Sequence, residues 1–290
     1  MKRFLNFIIR IIKGFSEHEL LVFSCDMTYK LILSIFPLII FAMSIIGFLR
    51  IDELDVAVFI ETIQGIFPAQ SWDFIDNFIT EVVDTRSTTV LTSTLLLTLF
   101  TASSGFASVI RGINTTYGHR DTRSWVHKRA VSMMLVLLFL VIVVLAMAVM
   151  VFSRNIQSLI FEHFNPNAFV TALFGLAGYF AAAFIILVII VMIYKIGNCR
   201  KVKVLDVFPG AVVTVIFWLL FSQIFNVYLT HFTGLTLAFG SIASVLILLL
   251  WLNFITAFLL VGSEVNAILA EGYEGKGTMR ISQRLSENNE

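Results

Sequence analysis

Residues 238–263 read AFGSIASVLILLLWLNFITAFLLVGS, a run without a single charge that ends at Glu264, Val265 and Asn266. A hydrocarbon core about 30 Å thick is crossed by roughly 20 apolar residues in a helix. Backbone at that depth must satisfy its own hydrogen bonds, so such a run is helical. Five further stretches of the same kind lie at 31–50, 89–109, 131–152, 169–194 and 208–230. Composition agrees, with 58% hydrophobic and 13% charged residues, against about 25% charged in soluble domains. The expectation is an all-α, polytopic membrane protein of six transmembrane helices, with little of its 290 residues left for a soluble domain.

Charge alternates between the connections. The first residues carry Lys2, Arg3, Arg10 and Lys13. The 51–88 segment holds Asp52, Glu53, Asp55, Glu61, Asp73, Asp76, Glu81 and Asp84 against Arg86 alone. Arg111, Arg120, Arg123, Lys128 and Arg129 follow the second stretch, and Lys195, Arg200, Lys201 and Lys203 follow the fourth. Short loops rich in Lys and Arg stay in the cytoplasm, which predicts both termini inside. Cys25 and Cys199 then fall on the reducing side, and their spacing fits no metal or redox motif.

Three domain-level segments follow: an amphipathic interfacial helix at 1–22, a six-helix membrane domain at 23–270, and a polar cytoplasmic tail at 271–290. In the first, Lys2, Arg3, Asn6, Arg10 and Lys13 share one face and Phe4, Leu5, Ile8, Ile9, Ile12 and Phe15 the other. Such a helix lies in the headgroup region and is drawn to anionic lipid. Within the second, 51–88 reads as an extracytoplasmic helical hairpin, with Gly65 and Pro68 dividing two amphipathic runs. It is either a lid or a connector.

Ionisable groups at membrane depth are costly and mark function. Asp26, Lys30, Arg111 and Glu264 all fall near the cytoplasmic ends of their stretches, and Asp26 and Lys30 are spaced to pair on one helix face. With Asn114, Asn253 and Asn266 they make a candidate substrate-binding polar pocket beside the hydroxyl-rich second stretch (Thr98, Thr101, Ser103, Ser104, Ser108). The competing reading is structural: snorkelling charges and amides that glue helices. Pro37 is a candidate hinge or a packing kink. Small residues at Gly175, Gly178, Ala182 and Ala183 form a close-packing face that allows a homo-oligomer. The sequence has no P-loop and no HExxH or GxSxG motif, and its histidines are scattered. No catalytic residue, metal site or cofactor is expected, and the basic clusters are explained by topology and anionic lipid without nucleic acid.

Four strings together resemble the BrkB/YihY family of bacterial inner-membrane proteins. They are Thr28–Tyr29–Lys30 through Ser34–Ile35–Phe36–Pro37; Arg111–Gly112–Ile113–Asn114–Thr115–Thr116–Tyr117–Gly118 with Arg123–Ser124–Trp125; Phe208–Pro209–Gly210–Ala211 with Trp218 and Tyr228; and Phe239–Gly240–Ser241 with Leu250–Trp251 and Gly262–Ser263–Glu264–Val265–Asn266. The resemblance covers roughly residues 20–270 and departs from the family pattern at Asp26 and Lys30, where small or apolar residues are commoner. It implies six spans in the bacterial cytoplasmic (inner) membrane and links the chain to transport or envelope maintenance. The family has also carried a ribonuclease label, for which this sequence offers no metal-ligand cluster to activate water. The resulting expectation is a transporter or flippase-like facilitator of a lipid or other amphiphile. The alternative is a non-catalytic envelope assembly protein that binds other membrane proteins.

Overall fold

The computed structural model describes residues 2–49, 88–119, 121–142, 168–231 and 242–273, together with Ile60, Gln64, Pro68, Ser71, Trp72, Ile75, Asp76 and Leu145. Most of the expected 51–88 hairpin and nearly all of the 271–290 tail lie outside the described residues; Trp72 and Ile75 of the hairpin are buried.

Every described element is a helix. They are α1 (Lys2–Glu17), α2 (Leu20–Leu49), α3 (Thr88–Thr116), α4 (Trp125–Ile142), α5 (Ala168–Gly197), α6 (Val204–His231) and α7 (Ile242–Tyr273). Among the described residues, Trp125–Ile142, Phe180–Gly197, Val204–Leu229 and Ile242–Ala270 are long and apolar enough to cross a membrane. α2 and α3 have 30 and 29 residues, about 45 Å at 1.5 Å per residue.

Local chemistry sets the boundaries. Glu19 adopts a left-handed φ of 49° and separates α1 from α2, a conformation that a non-glycine residue holds only where the surroundings require it. α3 ends where Gly118 turns to φ 63°, and the His119 N–H donates back to the Asn114 carbonyl at 2.9 Å, a glycine C-cap. α4 opens at Ser124, whose hydroxyl accepts from the His127 N–H at 3.3 Å. That cap starts the helix ahead of its uninterrupted apolar run. α6 opens with the Asp206 carboxylate accepting from the Lys203 N–H at 3.0 Å, the reciprocal half of a capping box. α2 runs through Pro37 without interruption.

α2 packs along α3, α7 packs on α6 and α2, α5 packs on α6, and α1 lies against α7 and α2. The main core joins Leu20 and Met27 of α2, Ile113 of α3, Tyr194 of α5, Val207 of α6 and Leu260 of α7. The starts of α2 and α6 and the ends of α3, α5 and α7 therefore meet at one end of the bundle, and the basic connections lie there. A second core, of Ile32, Phe225, Leu229, Ile247, Leu248 and Trp251, fills the α2–α6–α7 contact further along. The outer surface is apolar, with Phe180, Phe184, Leu220, Ile224 and Phe254 exposed. So are Leu5, Ile9 and Ile12 on α1.

α4 packs on α3, with Val136 and Leu140 of α4 against Leu99, Ala102 and Phe106 of α3. Phe106 meets Phe139 with ring centroids 6.2 Å apart, and the Arg129 side chain reaches Phe100.

Candidate functional site

The polar side chains predicted to form one pocket occupy several places. Asp26, Lys30 and Arg111 come together on the α2–α3 face. The Lys30 ammonium lies 2.7 Å from Asp26 Oδ1 and donates to the Ser108 hydroxyl at 2.8 Å. Arg111 Nη2 donates to Asp26 Oδ2 at 3.2 Å and to the same hydroxyl at 2.9 Å. The pairing of Asp26 with Lys30 follows from one helical turn of separation. Arg111 joins because α2 and α3 approach closely: Gly105 faces Leu31 and the Lys30 backbone, and Gly112 faces Met27 and Leu260. Two cations thus share one carboxylate and one hydroxyl. Arg111 and Asp26 remain open to the outside of the bundle, at 55% and 37% exposure, while Lys30 is half-buried at 24%.

Glu264 lies elsewhere. Its carboxylate is 5% exposed and sits 3.0 Å from His18 Nδ1, packed so tightly on Gly14 that a Cβ there would overlap it. It therefore fastens the end of α1 to α7. Asn266 bridges α7 to α6, accepting from the Gly210 N–H at 2.7 Å and donating to the Val207 carbonyl at 3.0 Å. Asn114 anchors the α5–α6 connection, donating to the Gly197 carbonyl at 3.0 Å and accepting from the Cys199 N–H at 2.7 Å. Asn253 has its amide within 3.5 Å of the Ser24 hydroxyl, the Cys25 thiol and the Thr28 hydroxyl. Pro37 is buried in α2.

Other polar groups complete the interior. Thr28 and Thr256 share a hydroxyl contact of 3.0 Å between α2 and α7, and Thr116 and Ser263 one of 2.6 Å between α3 and α7. Tyr194, wholly inside the bundle, contacts the Thr214 hydroxyl at 2.7 Å and donates to the Leu259 carbonyl at 2.5 Å. The side chains of Ser24, Thr28, Thr214 and His18 were missed in the sequence reading. Each is a lone small or polar residue with no spacing signal, and its partner lies on a helix distant in the chain.

In the α3–α4 connection Asp121 accepts from Arg123 Nε at 2.9 Å and Nη2 at 2.8 Å. The Arg123 guanidinium holds the Asp121 carboxyl below the usual range, and also donates to the Gly197 carbonyl at 3.2 Å. Burial pushes the Tyr117 hydroxyl up, with Asp206 adding to the effect.

Among the described residues, the cavity between Phe106, Leu135, Phe139, Ile189 and Ile193 is apolar and holds about 10 Å³, space for about one water. It touches none of the polar groups above. The charged cluster on α2 and α3 is a surface feature of the bundle.

Comparison with known proteins agrees with this helical, apolar architecture. A ribonuclease-like protein of Bacillus subtilis, YfkH, is 24% identical over 91% of this chain and 95% of its own length. A UPF0761 membrane protein of Aggregatibacter aphrophilus is 24% identical over 89% of each chain. Another, of Haemophilus influenzae, is 24% identical over 92% of this chain and 96% of its own. No solved structure matches the chain. Residues 11–284 match the family model described as Virulence factor BrkB, and the chain is a membrane protein belonging to that family.

Proposed function

We propose that this protein sits in the bacterial cytoplasmic membrane with six spans and both termini inside, and moves, or helps to move, a lipid or another amphiphile. The observation that carries the reading is the Asp26–Lys30–Ser108–Arg111 cluster, which holds two cations against one carboxylate on the outer face of the bundle. A charged group open to the side meets headgroups while acyl chains stay in lipid. The exposed apolar residues of α1 support its seat in the headgroup layer, where Arg10 and Lys13 favour anionic lipid. The absence of a nucleotide motif from the sequence favours downhill, gradient-driven or partner-driven movement.

The test is reconstitution in vesicles carrying a fluorescent lipid on both leaflets. Lipid exchange between leaflets that depends on the protein, and slows in Arg111→Ala and Lys30→Ala, supports the reading. No exchange with any lipid tested overturns it.

One observation favours a second reading, an assembly protein that binds other membrane helices. Among the described residues, nothing lies within 4 Å of a Cβ placed on Gly178, and its neighbours Leu176 and Phe180 are exposed. That part of the α5 small-residue face is open to a helix from outside. Co-purification of a membrane partner that is lost in Gly178→Leu supports this reading.

A further inference from the structure

We propose that the face of α3 between Arg111 and Phe100 is a track for a phosphate-bearing lipid headgroup. This proposal rests on the lipid-moving reading and names its substrate class and route. The starting observation is Arg129. Its Nη2 donates to the Phe100 carbonyl at 2.8 Å, and its guanidinium lies 4.4 Å from the centroid of the exposed Phe100 ring. Phe100 is near the middle of α3 (Thr88–Thr116), about 24 Å along the axis from Thr116 at 1.5 Å per residue. A helix that spans a hydrocarbon core of about 30 Å has its middle deep in the bilayer. A cation held there on the outer side of the bundle is costly and marks a pathway.

The other end of the track is the Lys30–Arg111 pair. Arg111 lies about 16 Å from Phe100 along the helix. At 100° per residue Phe100, Ser104, Ala107, Ser108 and Arg111 fall within one arc of about 100°. Ser104 and Ala107 are half-buried, and Phe100 and Arg111 are exposed. The neighbouring directions are closed. Gly105 and Gly112 face α2, Ile110 and Ile113 lie against Gly197 at the end of α5, and Phe106 meets Phe139 of α4. Among the described residues, what remains open is a strip of small side chains with the half-buried Ser104 along it and a guanidinium at each end, while Ser108 is buried.

Its chemistry selects the ligand. Arg129, Lys30 and Arg111 set three positive charges against Asp26. Guanidinium groups present planar forks of donors that match phosphate oxygens. The Ser104 hydroxyl can accompany a phosphate between the two ends, whereas a neutral sugar headgroup gains nothing from the cations. The strip opens sideways beside exposed Tyr29 and Leu33 of α2, so the occupant is lipid-borne.

The test uses vesicles holding the full chain and tail-labelled lipids, with chemical quenching of the outer leaflet as readout. Fluorescent phosphatidylglycerol should exchange at least about tenfold faster than fluorescent glucosylceramide. Arg129→Gln should slow phosphatidylglycerol about tenfold, and Arg129→Lys less. To separate blockage from misfolding, Ala107→Cys is made in a Cys25→Ala, Cys199→Ala background and reconstituted. A bulky maleimide added afterwards should stop exchange in the same sample, while Leu220→Cys on the outer face of α6 should be unaffected. Excess glycerol phosphate should leave the rate unchanged. Wild-type protein that moves no lipid overturns the underlying reading along with the track. Exchange that persists after Ala107→Cys is labelled, or equal movement of glucosylceramide, overturns the track alone. Suppression by glycerol phosphate as complete as by maleimide overturns the lipid-borne route in favour of a soluble phosphate.

Discussion

Gly210 of α6 and Gly262 of α7 meet backbone to backbone: a Cβ placed on Gly262 would lie 2.5 Å from the Gly210 carbonyl oxygen. The same Cβ would lie 2.5 Å from the Tyr194 hydroxyl and collide with Thr214. In a membrane no bulk hydrophobic force draws helices together, so close approach and interhelical hydrogen bonds do that work. This contact lets Asn266 reach the Gly210 N–H and Tyr194 reach α7.

Gly262→Ala should therefore destabilise the protein, since the obstacles include backbone that cannot yield. Overpacking of this kind costs about 1–3 kcal/mol. Gly178→Ala, where a Cβ meets no described residue within 4 Å, should be neutral or gain up to about 1 kcal/mol from helix propensity. Unfolding in mixed detergent micelles, followed by loss of helical signal, measures both. Equal midpoints for the two variants would refute the contact.

Asn266→Leu removes a donor and an acceptor at once and leaves the Gly210 N–H and Val207 carbonyl without their side-chain partner. An unsatisfied buried polar group costs about 1–3 kcal/mol. The expected result is a fall in stability larger than that of Asn253→Leu, whose amide contacts are long at 3.4–3.5 Å. The same unfolding measurement ranks the two.

The long helices were legible from sequence because apolar runs of bilayer length leave the backbone one solution. The Asp26–Lys30 pair was legible because its spacing is local. Glu264 was not assignable to His18, because their meeting depends on where α1 docks, 246 residues away in the chain. Arg129 read as a loop charge because the apolar stretch opens two residues after it. The Ser124 cap instead starts α4 before Arg129, and the packing of α4 on α3 brings the side chain to Phe100. Asn114, Asn253 and Asn266 were recognisable as polar residues in apolar surroundings. Their separate partners follow from helix packing, which periodicity does not encode.

The Asp121–Arg123 pair gives a pH dependence with a defined sign. The Asp121 carboxyl is held below its ordinary value, so its contribution is complete above the unfolded pKa of about 3.9. It is lost as pH falls through the lower folded value. The stability gap between wild type and Asp121→Asn should be constant from pH 7 to about pH 5 and shrink below about pH 4. Thermal midpoints of both proteins across that range test it, and a gap that widens on acidification contradicts the assignment.

The last prediction concerns α1. Its end is held by His18 on Glu264 and by the Gly14 contact, while Leu5, Ile9 and Ile12 face away from the bundle. His18→Ala removes a partner of a nearly buried carboxylate, and Gly14→Leu pushes α1 off the Glu264 side chain. Both should release the end of α1 from α7 and leave α2 and α3 in place, because the α2–α3 contact does not pass through α1. Hydrogen exchange at Phe15–Glu19 should quicken at least about tenfold in either variant, with Met27–Ser34 unchanged. Exchange that quickens equally in both segments would show that α1 is part of the cooperative core instead of a docked arm. Exchange that quickens in neither would mean that His18 and Gly14 do not hold it.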